Sequence, residues 1–182
     1  GQMMEPVSLD IGEVKAYEKP WAVTGTKCER EHNIINSLYL KPEQLEEKNF
    51  ERYEKYKAVE ENETMFEEYL MEDAEICVVA FGIAARVAEN AINEARSRGL
   101  KVGMIRPITL WPFPKKPLAA AADKCKAFVS VEMNMGQMIE DIELAIRCRK
   151  PVLLCNRVGG MIPTPEDVLS KIEEADKIGG AK

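Results

Sequence analysis

Four short apolar runs, at residues 76–81, 102–105, 128–131 and 152–155, alternate with segments of helical period. Continuous apolar runs of this length suit strands buried on both faces, as in a parallel sheet. Residues 83–98 place Ala84, Ala88, Ala91, Ile92 and Ala95 at helical spacing and stop at Gly99. Residues 116–124 read as a short alanine-rich helix, and residues 137–147 as a helix turning Met138, Ile142, Ala145 and Ile146 inward. A last helix opens at Thr164-Pro165-Glu166-Asp167, with an N-cap, a proline and a carboxylate three residues after the cap; Gly179-Gly180 reads as a frayed tail. This alternation demands βαβ crossovers, so the expected fold is α/β: an open, mainly parallel twisted sheet with helices on both faces.

The chain before residue 73 follows different rules. Residues 1–41 hold Gly, Pro, Thr and Asn throughout, show no sustained period and are expected to form an extended arm with a turn at Gly25-Thr26. Trp21 in that arm is a large apolar group that needs a surface to cover it. Residues 42–72 are expected to form an acidic amphipathic helix. Pro42 suits its first turn, and Leu45, Phe50, Tyr53, Tyr56 and Val59 make a stripe. From Glu43 to Glu68 there are ten acidic and four basic residues, a net of −6 that equals the charge of the whole chain. That helix is either a solvated face packed on the domain by its aromatic side or an acidic docking surface. Residues 73–182 are assigned to the α/β domain.

Composition narrows the function. Twenty-five basic against 31 acidic residues argue against nucleic acid, which calls for a basic patch. No run approaches the length of a membrane span, and nothing at the start resembles a signal peptide. The chain opens at Gly1 without an initiator methionine, as a tag remnant or a cut inside a longer protein would leave it. Five scattered cysteines without a C-x-x-C spacing, and one histidine, His32, give no zinc or iron–sulfur pattern and suggest a reducing, cytoplasmic setting.

The unusual chemistry lies in loops that follow strands, where open α/β sheets place ligands and partners. Gly82 turns the first strand into its helix, with Arg86 one turn in. A dinucleotide fingerprint needs three glycines and this turn has one, so the choice is between a simple tight turn and an anion held at a helix N-terminus. Arg106-Pro107-Ile108-Thr109-Leu110-Trp111-Pro112-Phe113-Pro114 is stiffened by three prolines. It either projects Trp111 and Phe113 as interface anchors or covers the end of the sheet with them. Glu132-Met133-Asn134-Met135-Gly136-Gln137 offers Glu132 or Asn134 to a substrate or neighbouring chain, and Gly136 allows close backbone approach. No nucleophile has a base beside it, so no catalytic constellation is expected.

These motifs, in this order, resemble the α subunit of 2-oxoacid:ferredoxin oxidoreductases. The resemblance rests on Val78-Val79-Ala80-Phe81-Gly82, Arg86, Val102-Gly103-Met104-Ile105-Arg106-Pro107, Trp111-Pro112-Phe113-Pro114, Val131-Glu132-Met133-Asn134-Met135-Gly136-Gln137-Met138 and Gly159-Gly160 with Pro163 and Pro165. It reaches into the arm at Lys19-Pro20-Trp21-Ala22 and to Lys55-Tyr56, and Gly1–Val7 resembles the end of a preceding domain. It implies a domain like the C-terminal domain of transketolase, with its connector. The implied enzyme oxidatively decarboxylates a 2-oxoacid to an acyl-CoA, using thiamine diphosphate and CoA and passing electrons through iron–sulfur clusters to ferredoxin. The resemblance places those cofactors outside this chain and makes its partners a thiamine-binding β subunit, a γ subunit and a ferredoxin-like subunit, within a homo-oligomeric assembly. The proline-rich loop is most similar to the 2-oxoisovalerate type, with the 2-oxoglutarate type as the alternative. A CoA- or phosphate-binding module at the Gly82 and Asn134 loops is the competing reading.

Overall fold

A computed structural model describes residues 8, 12, 13 and 16–180, with the side chains of residues 179 and 180 left aside. The stretch resembling the end of a preceding domain, residues 1–7, lies outside the described residues. Residues from Tyr56 onward form one compact unit and the described residues up to Lys55 another.

Among the described residues of the second unit, no helix or strand precedes Pro42. The turn expected at Gly25-Thr26 is present: Gly25 has φ +83°, and the Glu29 N–H donates to the Thr26 carbonyl at 2.9 Å. Trp21 is exposed. Helix α1, Pro42–Asn62, follows without a single buried residue. The helix expected over residues 42–72 therefore ends ten residues early, and the chain turns into a strand, β1, Phe66–Tyr69.

Sheet order is β1-β3-β2-β4-β5, with β2 Ile76–Ala80, β3 Val102–Pro107, β4 Ala127–Glu132 and β5 Val152–Asn156. The last four are mutually parallel; β1 runs antiparallel to β3 along the edge. The sheet therefore begins before residue 73. Strand β1 hides in the sequence because its edge position leaves it mostly exposed, without the buried alternation that marks a strand. Helices α2, Gly82–Ser97, and α5, Pro165–Gly180, bury one sheet face, and α3, Lys115–Lys124, and α4, Met138–Ile146, bury the other. Helix α5 runs through the glycine pair read as a frayed tail.

Side-chain alternation divides the core. Ile76, Val78 and Ala80 point towards α2 and α5, with Ala127, Val129 and Val131 beside them. Cys77, Val79 and Phe128 point towards α3 and α4. Burial pushes the Cys77 thiol well up, and the Cys125 and Cys155 thiols up to about 11, so all three act as small hydrophobes rather than nucleophiles.

Helix α5 starts as read. The Asp167 N–H donates to Thr164 Oγ1 at 3.2 Å, and the Thr164 N–H returns a bond to Asp167 Oδ2 at 2.9 Å. Arg157 forks onto the same carboxylate at 3.1 and 2.7 Å, and with the Thr164 bonds it holds Asp167 below the ordinary carboxylate range. Thr164→Ala is expected to cost about 1 kcal/mol in urea denaturation, with the fold retained.

Candidate functional site

The strand order reverses at β2: the chain moves to one side to make β3, then crosses back to make β4 on the other. In open α/β sheets that reversal opens a crevice beyond the carboxyl ends of the strands. Here the crevice is a cleft of about 130 Å³ lined by Phe81, Leu110, Phe113, Glu132, Asn134, Gln137, Met138 and Asp141. It gathers the turn before Gly82 and both unusual loops in one place.

Glu132 is the most constrained residue there. Phe128, Ser130 and Glu132 lie on one face of β4, the face covered by α3 and α4. Glu132 ends the strand facing the start of α4 and is 1 % exposed. Its Oε2 accepts the N–H groups of Gln137 at 2.9 Å and Met138 at 2.8 Å, and its Oε1 accepts the Ile139 N–H at 2.9 Å and the Ser130 hydroxyl at 2.8 Å. The three N–H groups are orphan donors of a helix N-terminus, and the carboxylate also meets the positive end of the helix dipole. Burial pushes the Glu132 carboxyl up, but the four hydrogen bonds together hold it below its ordinary value. The donors that Glu132 accepts from all belong to its own strand, loop and helix.

Asn134 is likewise spent on the loop. Its Oδ1 accepts the Gly136 N–H at 2.8 Å, and its carbonyl accepts Asn156 Nδ2 at 2.7 Å, tying the β4 loop to the end of β5. Gly136 has φ +100°, and a Cβ there would lie 3.2 Å from both Ile139 and Leu154. Its glycine serves the turn. Gln137 is exposed at the cleft.

The proline-rich loop splits its two aromatics. Phe113 is buried in the α3/α4 core, which is the second of the two readings offered for it: it covers the end of its own sheet. Trp111 is 57 % exposed and meets Tyr56 edge-on, with ring centroids 5.6 Å apart. Thr109, which sequence reading passed over, braces the loop. Its hydroxyl donates to the Pro112 carbonyl at 2.8 Å and accepts the Met65 N–H at 3.0 Å. Arg106 lies outside the cleft; it pairs with Glu67 at 2.8 Å across β1 and β3, a cross-strand contact that depends on the strand missed in the sequence. Gly82 has φ +57° and makes the tight strand-to-helix turn, while Arg86 is half-buried in α2.

Chemically the cleft is poor. Its volume is well below the roughly 300–1,000 Å³ of small-molecule sites. No group of three or more His, Cys, Asp or Glu among the described residues could hold a metal ion, so these residues do not fit an iron–sulfur cluster. What the surrounding loops do present is apolar surface: Ile108, Leu110 and Trp111 after β3, Met133 and Met135 after β4, and Met161 after β5 are all exposed. Among the described residues no helix is long and apolar enough to cross a membrane.

The chain is similar to known proteins in sequence and in fold. It is 48 % identical over 175 residues to ketoisovalerate oxidoreductase subunit VorB of Methanothermobacter marburgensis, covering 96 % of this chain and 49 % of that protein. It thus spans about half the length of the curated relatives it matches. Its fold matches a 2-oxoglutarate:ferredoxin oxidoreductase from Magnetococcus marinus, solved with 2-oxoglutarate, coenzyme A and succinyl-CoA bound. There the TM-score is 0.62 at 24 % identity, over 75 % of this chain and 24 % of that one. It also matches a split-gene transketolase described as an inactive β4 tetramer, with TM-score 0.56 at 19 % identity, over 63 % of this chain and 42 % of that one. Residues 74–168 match the model described as pyruvate:ferredoxin oxidoreductase core domain II, and the chain belongs to that family.

Proposed function

We propose that this chain is the subunit-docking part of the α subunit of a 2-oxoacid:ferredoxin oxidoreductase whose substrate is 2-oxoisovalerate. The observation that carries the docking role is the contrast at the carboxyl ends of the strands. The buried carboxylate and the loop amide of Asn134 are engaged internally, while Trp111, Leu110, Met133 and Met135 stand in solvent. An apolar rim around a cleft too small for a cofactor suits a protein partner better than a reaction. The substrate assignment rests on the ketoisovalerate relative that aligns along almost the whole chain.

In the complete enzyme the reaction joins a 2-oxoacid and CoA into an acyl-CoA and CO2, with two electrons leaving to ferredoxin. Thiamine diphosphate and the iron–sulfur clusters belong, in this proposal, to other parts of the complex, which works as a homo-oligomer of multi-subunit units in the cytoplasm. This chain supplies no reacting group and holds its neighbours in register.

Three measurements test this. Trp111→Ala in the full complex is expected to weaken association of this subunit with its neighbours by about 30-fold, the loss of roughly 2 kcal/mol of a hot-spot ring. Unchanged association and turnover sink the docking role. Acceptor-linked decarboxylation assays on the wild-type complex are expected to favour 2-oxoisovalerate; a preference for 2-oxoglutarate assigns the other branch. Calorimetry of the isolated chain with CoA separates the competing module, since clear binding contradicts a purely docking role.

A further inference from the structure

A pocket of about 420 Å³ opens between the end of α1, β1 and the start of α3, all within the compact unit that begins at Tyr56. Unlike the cleft beyond β2, it falls inside the roughly 300–1,000 Å³ of small-molecule sites. Phe66, Phe113 and Pro117 give it an apolar lining. Thr64 fixes the corner where α1 gives way to β1. Its hydroxyl donates to the Glu60 carbonyl at 2.8 Å, and the next N–H, of Met65, donates to Thr109 Oγ1 at 3.0 Å.

The charges of this lining run against the usual preference of helix ends. Glu60 and Glu61 lie in the last turn of α1, where no basic residue stands, and Lys115 and Lys116 open α3, whose first turn has no acidic one. Carboxylates at the negative end of one helix dipole and ammoniums at the positive end of another are both unfavourable. Among the described residues, neither these glutamates nor these lysines form an ion pair, so the two pairs share a pocket without bridging it. Lys57 also lines the pocket and is already engaged. We propose that the pocket binds a zwitterionic α-amino acid with an apolar side chain. Its ammonium meets Glu60 and Glu61, its carboxylate meets Lys115 and Lys116, and its side chain lies on Phe66 and Phe113. Such a ligand offsets the mismatch at both helix ends at once. A simple anion or a simple cation offsets one and is repelled by the other.

An NMR titration of the full, 15N-labelled chain at low salt tests the site, with L-leucine as the probe. Leucine is expected to bind with a Kd of about 1 mM or tighter, shifting chiefly the amides of Glu60, Glu61, Thr64, Phe66, Lys115 and Lys116. Two matched probes each lack one charge: isoamylamine has no carboxylate and 4-methylpentanoate has no ammonium. Each is expected to bind at least about tenfold more weakly than leucine. Glu60→Gln/Glu61→Gln is expected to bind leucine no better than it binds 4-methylpentanoate, and Lys115→Gln/Lys116→Gln no better than it binds isoamylamine. All four positions are on exposed helix surface, and circular dichroism checks that helix content is kept. No saturable shift up to about 10 mM leucine, shifts centred elsewhere in the chain, 4-methylpentanoate binding as tightly as leucine, or an affinity indifferent to both neutralisations overturns the proposal.

Discussion

Glu132→Ala is expected to destabilise this protein by about 3–5 kcal/mol, more than any surface change. The substitution leaves the Met138 N–H and the Ser130 hydroxyl without their acceptor in a buried place, and the Gln137 and Ile139 N–H groups without theirs in a half-buried one. It also removes a negative charge from the N-terminus of α4. Glu132→Gln is expected to lose less, because one amide oxygen still accepts while the amide nitrogen faces donors. Urea denaturation measures both, and a loss under about 1 kcal/mol for the alanine variant contradicts the capping role.

The same site gives a pH signature. Glu132 is held below its ordinary value in the folded state, so its contribution is fully present above the unfolded carboxylate value of about 4.3 and fades as pH falls through the lower folded one. The stability gap between wild type and Glu132→Ala is therefore expected to be constant at neutral pH and to shrink in acid below about pH 4. A gap that grows in acid reverses the sign and refutes the assignment.

Gly103→Ala is expected to cost about 3 kcal/mol, the upper end of overpacking effects. A Cβ on Gly103 would lie 2.5 Å from the Leu70 carbonyl oxygen and 2.9 Å from its carbon, with Met71 Sδ at 2.7 Å. Two of those atoms are backbone and cannot swing aside. The strain falls where the chain leaves β1, so β1 is expected to detach from β3 before the parallel strands open. Hydrogen exchange at Glu67 and Tyr69, compared with Val78 and Val129, reads this directly. Equal loss of protection in all four shows that β1 and the core open together and rejects the local picture.

Trp111 and Phe113 show how legibility ended. Both stand in the same proline-stiffened stretch, and the sequence offered each as an anchor or as a cover for the sheet. The core between β3, α3 and α4 had room for the ring of Phe113, and Trp111 was left outside against Tyr56. Ser130 and Glu132 did carry a usable signal: two polar residues at even spacing on a strand otherwise apolar, pointing to the same face as Phe128 and towards the start of a helix. Strand β1 carried almost none, because an exposed edge places no constraint on alternation.

The sequence by itself determined the parallel α/β class, four of the five strands, the helices that bury them and the family, because hydrophobic period and caps are local properties written within a few residues. The helix at Thr164 and the turn at Gly25 belong to the same kind of knowledge. Tertiary structure alone decided which side chains remain for a partner. Arg106 became an edge ion pair and Phe113 core because distant segments come within about 3–4 Å of them, and Glu132 became a helix cap because the loop after β4 folds the start of α4 back onto it. Burial and hydrogen-bond satisfaction are properties of the assembled molecule, and they turned a list of polar loop residues into an apolar rim.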